Sequence, residues 1–307
     1  MGPERQVLAA LVARKHYLEK RTKSQIADEL ALSRFQVARL LDAACAEGIV
    51  RITVELPSGV DAELSNLLRQ RFGLKRALAV VTADDLEARR AQLGRAAADL
   101  LADVVTEDDC LGIAWGRTLG AIPAALDRLA TCPVVQLTGV AGTVSENTVE
   151  LVRQVCAVNG GPASPIYAPF VVADAATARG LRSQPGIARA LELHRRVTRA
   201  VVGVGSWDPP DSQLHDSLQG QEQRALLGRG VRAEVCGTLL NDDGDVVSGL
   251  EDRRIAIPTE LLRKIPEVIA VGGGSTKVHA MLAAVRSGLV HGLVTDAAAA
   301  HRMLELG

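Results

Sequence analysis

No stretch of this 307-residue chain approaches the ~18 uninterrupted apolar residues that a membrane-spanning helix needs. Its five cysteines, Cys45, Cys110, Cys132, Cys156 and Cys236, are odd in number, widely spaced and form no C-x-x-C. That pattern argues against a disulfide framework and suits reduced thiols, mostly core filler, in a cytosolic protein. The six histidines, His16, His194, His215, His279, His291 and His301, show no metal-ligand spacing, so neither a metal nor a cofactor is expected. A net charge of −1 excludes a chain that seeks polyanions along its whole length. The start "MGPERQVLAALV" has no secretory pattern, and Gln6 stands where a myristoylation signal needs Ser or Thr. The expected compartment is the cytoplasm. No Ser-His-Asp or Cys-His arrangement announces a nucleophile. "VGGGSTK" lacks the spacing of a nucleotide-hydrolase loop, and "GVGSWD" lacks the third glycine of a dinucleotide fingerprint.

What is present is a globular composition, 48% hydrophobic and 23% charged, at a length that suits two domains. Dividing the chain at Pro57 separates the charge: the first 57 residues carry nine Lys/Arg and seven Asp/Glu, a net of +2, and the remainder carries −3. The sign is that of a nucleic-acid-binding head on a body with another task.

The head begins with a helical stripe, Leu8, Leu11, Val12 and Leu18, over roughly residues 5–19. "TKSQ" (Thr22–Gln25) and "SRFQ" (Ser33–Gln36) are capping boxes only eleven residues apart, which forces a tight turn at Ala31-Leu32. Such turns usually carry Gly because one residue takes positive φ, so Ala31 there costs about 1 kcal/mol. At 100° per residue, Val37, Leu40, Leu41 and Ala44 share one side of the third helix. Arg34, Phe35, Ala38, Arg39 and Asp42 share the other. Two readings are open: a buried helical hairpin, or a recognition helix free to enter the major groove. The second reading assigns DNA contacts to Thr22, Ser24, Ser33, Arg34, Phe35, Gln36, Ala38 and Arg39. Hydroxyls and helix-start N–H groups suit phosphates, Arg suits guanine, and Phe35 or Ala38 suits a thymine methyl. "GIVRITVEL" then reads as a helix stop at Gly48 and a wing strand through Ile49, Val50, Ile52, Val54 and Leu56.

In the body, apolar runs alternate with helical stretches: "ALAVV", "CLGIAW", "PVVQLT", "AVVGVG", "EVIAVG" and "GLVHGLVT". Strands without polar alternation, separated by helices, indicate a parallel sheet covered on both faces. Glycine and hydroxyl residues follow these strands: Gly116-Arg117-Thr118, Gly139, Gly142-Thr143, Gly203, Gly205-Ser206, then Gly272 to Lys277, then Thr295-Asp296. In an open α/β sheet such strand ends share one edge, where ligands bind. Lys277 and Arg117 would add charge for an anion, and the hydroxyls and Asp296 would suit a polyol. The plain alternative makes each glycine a tight strand-to-helix turn. Trp115 and Trp207 follow two of these strand ends, where either packing or stacking on a sugar would use them.

The ordered set "GIAWGRTL", "VVQLTG", "APFVVAD", "VVGVGS", "CGTLLNDDG" and "IPEVIAVGGGSTKVHAMLAAVRSGLVHGLVTD" resembles the SorC/DeoR-type sugar-binding transcriptional regulators of bacteria, from Tyr17 to Leu304. The resemblance implies an α/β protein: a winged helix-turn-helix over residues 1–56, then a doubly wound effector domain over 57–307 related to sugar-phosphate isomerases and deaminases. It further implies a homo-oligomer, a dimer or dimer of dimers, that binds operator DNA and a sugar or sugar phosphate. By similarity Gly116, Arg117, Thr118, Gly139, Gly205, Gly272, Gly273, Lys277 and Asp296 line the effector pocket. Where relatives carry Gly-Asp before the "CG", this chain reads "RAEVCG", with Glu234 in place of the acid. An enzyme remains the alternative, a sugar-phosphate isomerase or deaminase using Asp296 and Glu234 as acid and base near Lys277. A purely structural DNA-bridging protein leaves the glycine-rich edge unexplained.

Overall fold

Both capping boxes of the head form. In the first, Thr22 Oγ1 accepts from Gln25 N–H at 3.3 Å and Gln25 Oε1 accepts from Thr22 N–H at 3.0 Å. Ser33 and Gln36 repeat the exchange at 3.2 and 2.7 Å. They open helices Lys23–Glu29 and Arg34–Ala46, and Ala31 at φ +51° makes the turn between. The first helix runs Pro3–Ala13 and widens into a π-type turn at Arg14–Leu18. Ala9, Val12, Ile26, Ala27, Val37, Leu40, Leu41 and Ala44 make the core of this three-helix head.

The computed structural model describes residues 1–52, 59–141 and 148–307. The chain divides into two units, Met1–Glu55 and Leu56–Gly307. The expected wing is corrected in part. Gly48 at φ +70° ends the third helix, and the Val50 amide returns to the Ala44 carbonyl at 3.0 Å, so residues 49–52 form a bend and no strand. Val54 and Leu56 lie outside the described residues, as do Gly142 and Thr143.

The second unit holds twelve described strands: β1 Val60–Asp61, β2 Arg76–Val80, β3 Leu111–Ile113, β4 Val134–Gln136, β5 Ala163–Ser164, β6 Arg199–Val202, β7 Gly205–Trp207, β8 Pro210–Asp211, β9 Ala233–Val235, β10 Thr238–Leu240, β11 Glu267–Val271 and β12 Gly292–Asp296. Eight form one sheet in the order β1-β2-β12-β11-β6-β3-β4-β5, parallel except for β1 on β2. The period-2 alternation sends Ala200, Val202, Val268, Ala270 and Leu293 to one face, against helices Ala62–Arg71, Val278–Arg286 and Ala297–Leu306. Val201, Leu111, Ile113, Ile269, Val271 and Val294 face the other way, against Leu86–Val104 and Thr148–Asn159. Burial on both faces is why these strands carry no polar alternation. The run "GLVHGLVT" is only half strand: Gly288 turns at φ +68° and β12 begins at Gly292.

A second, antiparallel sheet, β10-β9-β7-β8, adds to the parallel one that the sequence pattern indicates. At the amino ends of the main-sheet strands, Glu267 pairs with Arg76 at 2.8 Å and with Arg199, which also holds Asp109 at 2.9 Å. These charges cross-link β2, β11 and β6 away from the glycine-rich ends.

Candidate functional site

Each unit carries one candidate site. On the third helix of the head, Val37, Leu40 and Leu41 are buried, while Arg34, Arg39 and Phe35 face solvent, Phe35 at 83% exposure. An aromatic left that bare on a capped helix contributes nothing to its own core. Ala38 is half-buried; Thr22, Ser24, Ser33 and Gln36 are exposed, three of them engaged in the capping boxes. Lys15 and Arg21 are held by Glu29 at 2.6 and 2.8 Å, and the Lys15 hydrogen bond keeps that carboxyl below its ordinary range. Among the described residues Arg34 and Arg39 form no ion pair, which leaves them available to phosphate or base edges.

In the second unit the topology itself marks a place. From β3 the chain proceeds to β4 on one side; from β6, its neighbour, it proceeds to β11 on the other. The connections leaving the carboxyl ends of β3 and β6 therefore diverge, the geometry that opens a ligand crevice. Gly116 and Gly203 let these ends meet: a Cβ on Gly203 would stand 2.8 Å from the Trp115 carbonyl oxygen, and one on Gly116 3.3 Å from the Gly203 Cα.

The cleft at this point is lined by Trp115, Gly116, Arg117 and Thr118 after β3, and by Gly203, Val204 and Gly205 after β6. Gly273 and Lys277 follow β11, and Glu234 comes from β9 of the second sheet. Asp211 enters from β8 and Ser212 and Gln213 from the helix start that follows it, and Leu86, Arg89, Arg90 and Leu93 from the helix after β2. Lys277 Nζ sits 3.2 Å from Asp211 Oδ2 and donates to the Val204 carbonyl at 3.0 Å. Arg117 Nη2 pairs with the other oxygen of Asp211. Burial pushes the Lys277 ammonium below its usual range, against the pull of Asp211. Glu234 accepts from the Gly237 amide at 2.8 Å and from Ser212 Oγ at 3.2 Å, and burial raises its carboxyl. Four cations and two carboxylates thus face one crevice, with backbone glycines between them. Among the described residues no group of three or more His, Cys, Asp or Glu could hold a metal ion.

Against known proteins, residues 58–305 match the family described as "Putative sugar-binding domain". The chain belongs to this family. Its curated relatives include transcriptional regulators. The deoxyribonucleoside regulator of Bacillus subtilis is 28% identical over 308 residues, covering 96% of each chain, and the regulator LsrR of Escherichia coli K12 is 27% identical over 303 residues, covering 96% of this chain and 93% of its own. The full-length sorbitol operon regulator SorC of Klebsiella pneumoniae shares the fold, with a TM-score of 0.73 at 22% identity over 98% of this chain and 99% of that one.

Of the residues that the SorC/DeoR resemblance assigns, the cleft brings together Gly116, Arg117, Thr118, Gly205, Glu234, Gly273 and Lys277. Three stand elsewhere. Gly139 serves a backbone crossing, its amide donating to the Ile255 carbonyl at 2.7 Å beside Ala168 and Pro169. Gly272 is buried and is not among the lining residues, its amide on the Val294 carbonyl at 3.1 Å. Asp296, 2% exposed, caps helix Ala297–Leu306 through Ala299 N–H at 2.9 Å and holds Gly274 N–H at 2.6 Å. It positions the glycine turn rather than facing the crevice. Sequence reasoning missed Arg89, Arg90 and Asp211; "ALAVV" followed by "TADDLEARR" is one more strand end opening a helix, and that signal was legible. Of the two tryptophans, Trp115 lines the cleft and Trp207, 1% exposed, packs edge-on to His215 in the core.

Proposed function

We propose that this protein is a cytoplasmic, DNA-binding regulator of carbohydrate metabolism whose operator affinity is set by a small sugar or sugar phosphate held in the crevice between β3 and β6. The carrying observation is the pairing, in one chain, of a solvent-facing Arg34-Phe35-Arg39 surface with a cationic, glycine-lined crevice at a topological switch point. Arg34 and Arg39 read base edges or phosphates, and Thr22, Ser24 and Ser33 hold the backbone. Arg117, Lys277, Glu234 and Thr118 hold the effector through charge and hydroxyl contacts. A homo-oligomer presents two heads to half-sites along one face of the DNA. The effector acts only insofar as it binds two arrangements of that oligomer with different affinity.

The competing reading, a sugar-phosphate isomerase or deaminase, needs Asp296 as a reacting acid or base. Its carboxylate oxygens accept from backbone amides, one of the Gly274 turn after β11 and one of its own helix, which weighs against that role. Fluorescence anisotropy on DNA from upstream of the protein's own gene, repeated with a panel of sugars and sugar phosphates, tests the proposal. Sequence-selective binding shifted by one compound is the expected result. Binding equal to that of random DNA at physiological salt overturns it.

A further inference from the structure

Arg117 and Lys277 reach the crevice from the ends of two main-sheet strands, yet among the described residues both form their ion pair with one carboxylate, Asp211. Their side chains are 31% and 18% exposed, so in this crevice each cation needs a partner. Asp211 differs from them in its mounting. It ends β8, a strand of two residues on the rim of the second sheet, paired on one side only through Ser206↔Asp211 and Trp207↔Pro210. Withdrawing it breaks little else, and its side chain, 30% exposed, already touches water. A phosphate monoester or carboxylate offers two oxygens to an arginine and a lysine in the same way that Asp211 does.

We propose, on the basis of the effector reading above, that Asp211 is a resident counter-ion: an effector bearing a phosphate or carboxylate binds by displacing it from Arg117 and Lys277. A neutral polyol cannot make the exchange, because it brings no charge to replace the one it would expel. Asp211 therefore selects anionic ligands over neutral ones of the same shape. Its release also frees β8 and the adjoining Ser212, whose hydroxyl is bonded to Glu234. Occupancy of the cation pair is thereby coupled to the rim of the second sheet. Arg89, which lines the same crevice and whose Nε is buried without a partner among the described residues, supplies further positive charge beside the Gly273-Gly274 turn.

The test uses the full chain and inorganic phosphate as probe, titrated by calorimetry at constant ionic strength. Asp211→Asn is expected to bind phosphate at least tenfold more tightly than the unmodified protein, Asp211→Glu to match the unmodified protein, and Asp211→Asn/Lys277→Met to lose the gain. Sorbitol is expected to show no gain in any variant. Equal or weaker phosphate binding by Asp211→Asn overturns the proposal, as does a gain that survives removal of Lys277. Hydrogen exchange in the unmodified protein is a second arm that does not depend on a variant folding. Saturating phosphate, against chloride at matched ionic strength, is expected to speed exchange at the backbone amides around Asp211; unchanged exchange there overturns the displacement. The two readings fail separately. If a neutral sugar shifts DNA binding while Asp211→Asn gains nothing, the counter-ion is wrong and the regulator stands. If no sugar or sugar phosphate shifts DNA binding in either protein, the effector reading itself is wrong.

Discussion

Acidification should destabilise the second unit through the buried imidazole of His194. His194 is 2% exposed, and its Nε2 shares a hydrogen bond with the Gln136 carbonyl at 2.8 Å. Its Nδ1 has no partner among the described residues, so protonation would bury an N–H with nothing to receive it. Burial accordingly lowers its pKa to about 4, despite the Gln136 bond. The unfolded chain takes up this proton near its ordinary value of about 6.5, the folded one only near 4, so between the two the unfolded state binds more protons. The contribution is whole above about pH 6.5 and is lost as pH falls: linkage makes the deficit about 2 kcal/mol by pH 5 and about 3 kcal/mol by pH 4. Urea unfolding followed by tryptophan fluorescence reads this unit alone, because the chain's two tryptophans are Trp115 and Trp207. His194→Gln should flatten the pH dependence by about 2 kcal/mol between pH 8 and pH 5 relative to the unmodified protein. Parallel curves for the two proteins would refute the assignment.

Four further expectations follow from particular contacts. Arg34→Ala and Arg39→Ala should each weaken operator binding by about 1–3 kcal/mol in anisotropy without changing the circular dichroism; unchanged affinity in both removes the helix from the groove. Lys277→Ala should abolish the response of DNA binding to the effector while leaving the DNA affinity intact, and a normal response would take Lys277 out of the pocket. Ala31→Gly should stabilise the head by about 1 kcal/mol in thermal unfolding, because φ +51° is strained for Ala and free for Gly. Gly273→Ala should cost the second unit about 1–3 kcal/mol, since a Cβ there runs into the Asp296 carboxylate that caps the last helix; urea unfolding with no loss would mean that the glycine turn has room to shift.

What was legible in the sequence was local chemistry. Thr22/Gln25 and Ser33/Gln36 are helix starts because both halves of each capping exchange lie within four residues, and the strain at Ala31 follows from how close the two starts are. Runs such as "EVIAV" announce a sheet buried on both faces because each residue must be apolar whichever way it points. The second sheet escaped because its strands hold two or three residues and, unlike the equally short β3 and β4, sit in no continuous apolar run. The wiring of the crevice escaped for a different reason. Asp211 meets Arg117 across 94 residues of chain, and no spacing rule carries that far. Asp296 shows how one signal can be assigned to the wrong neighbour. At a strand end beside glycines it reads as a pocket wall, but it also precedes "AAAA", and a carboxylate before an alanine run is a helix cap. The amide it captures belongs to Gly274, so the residue still governs the crevice, from behind. A strand-end acid can shape a ligand site without touching the ligand, and the residue that follows it in sequence tells which part it plays.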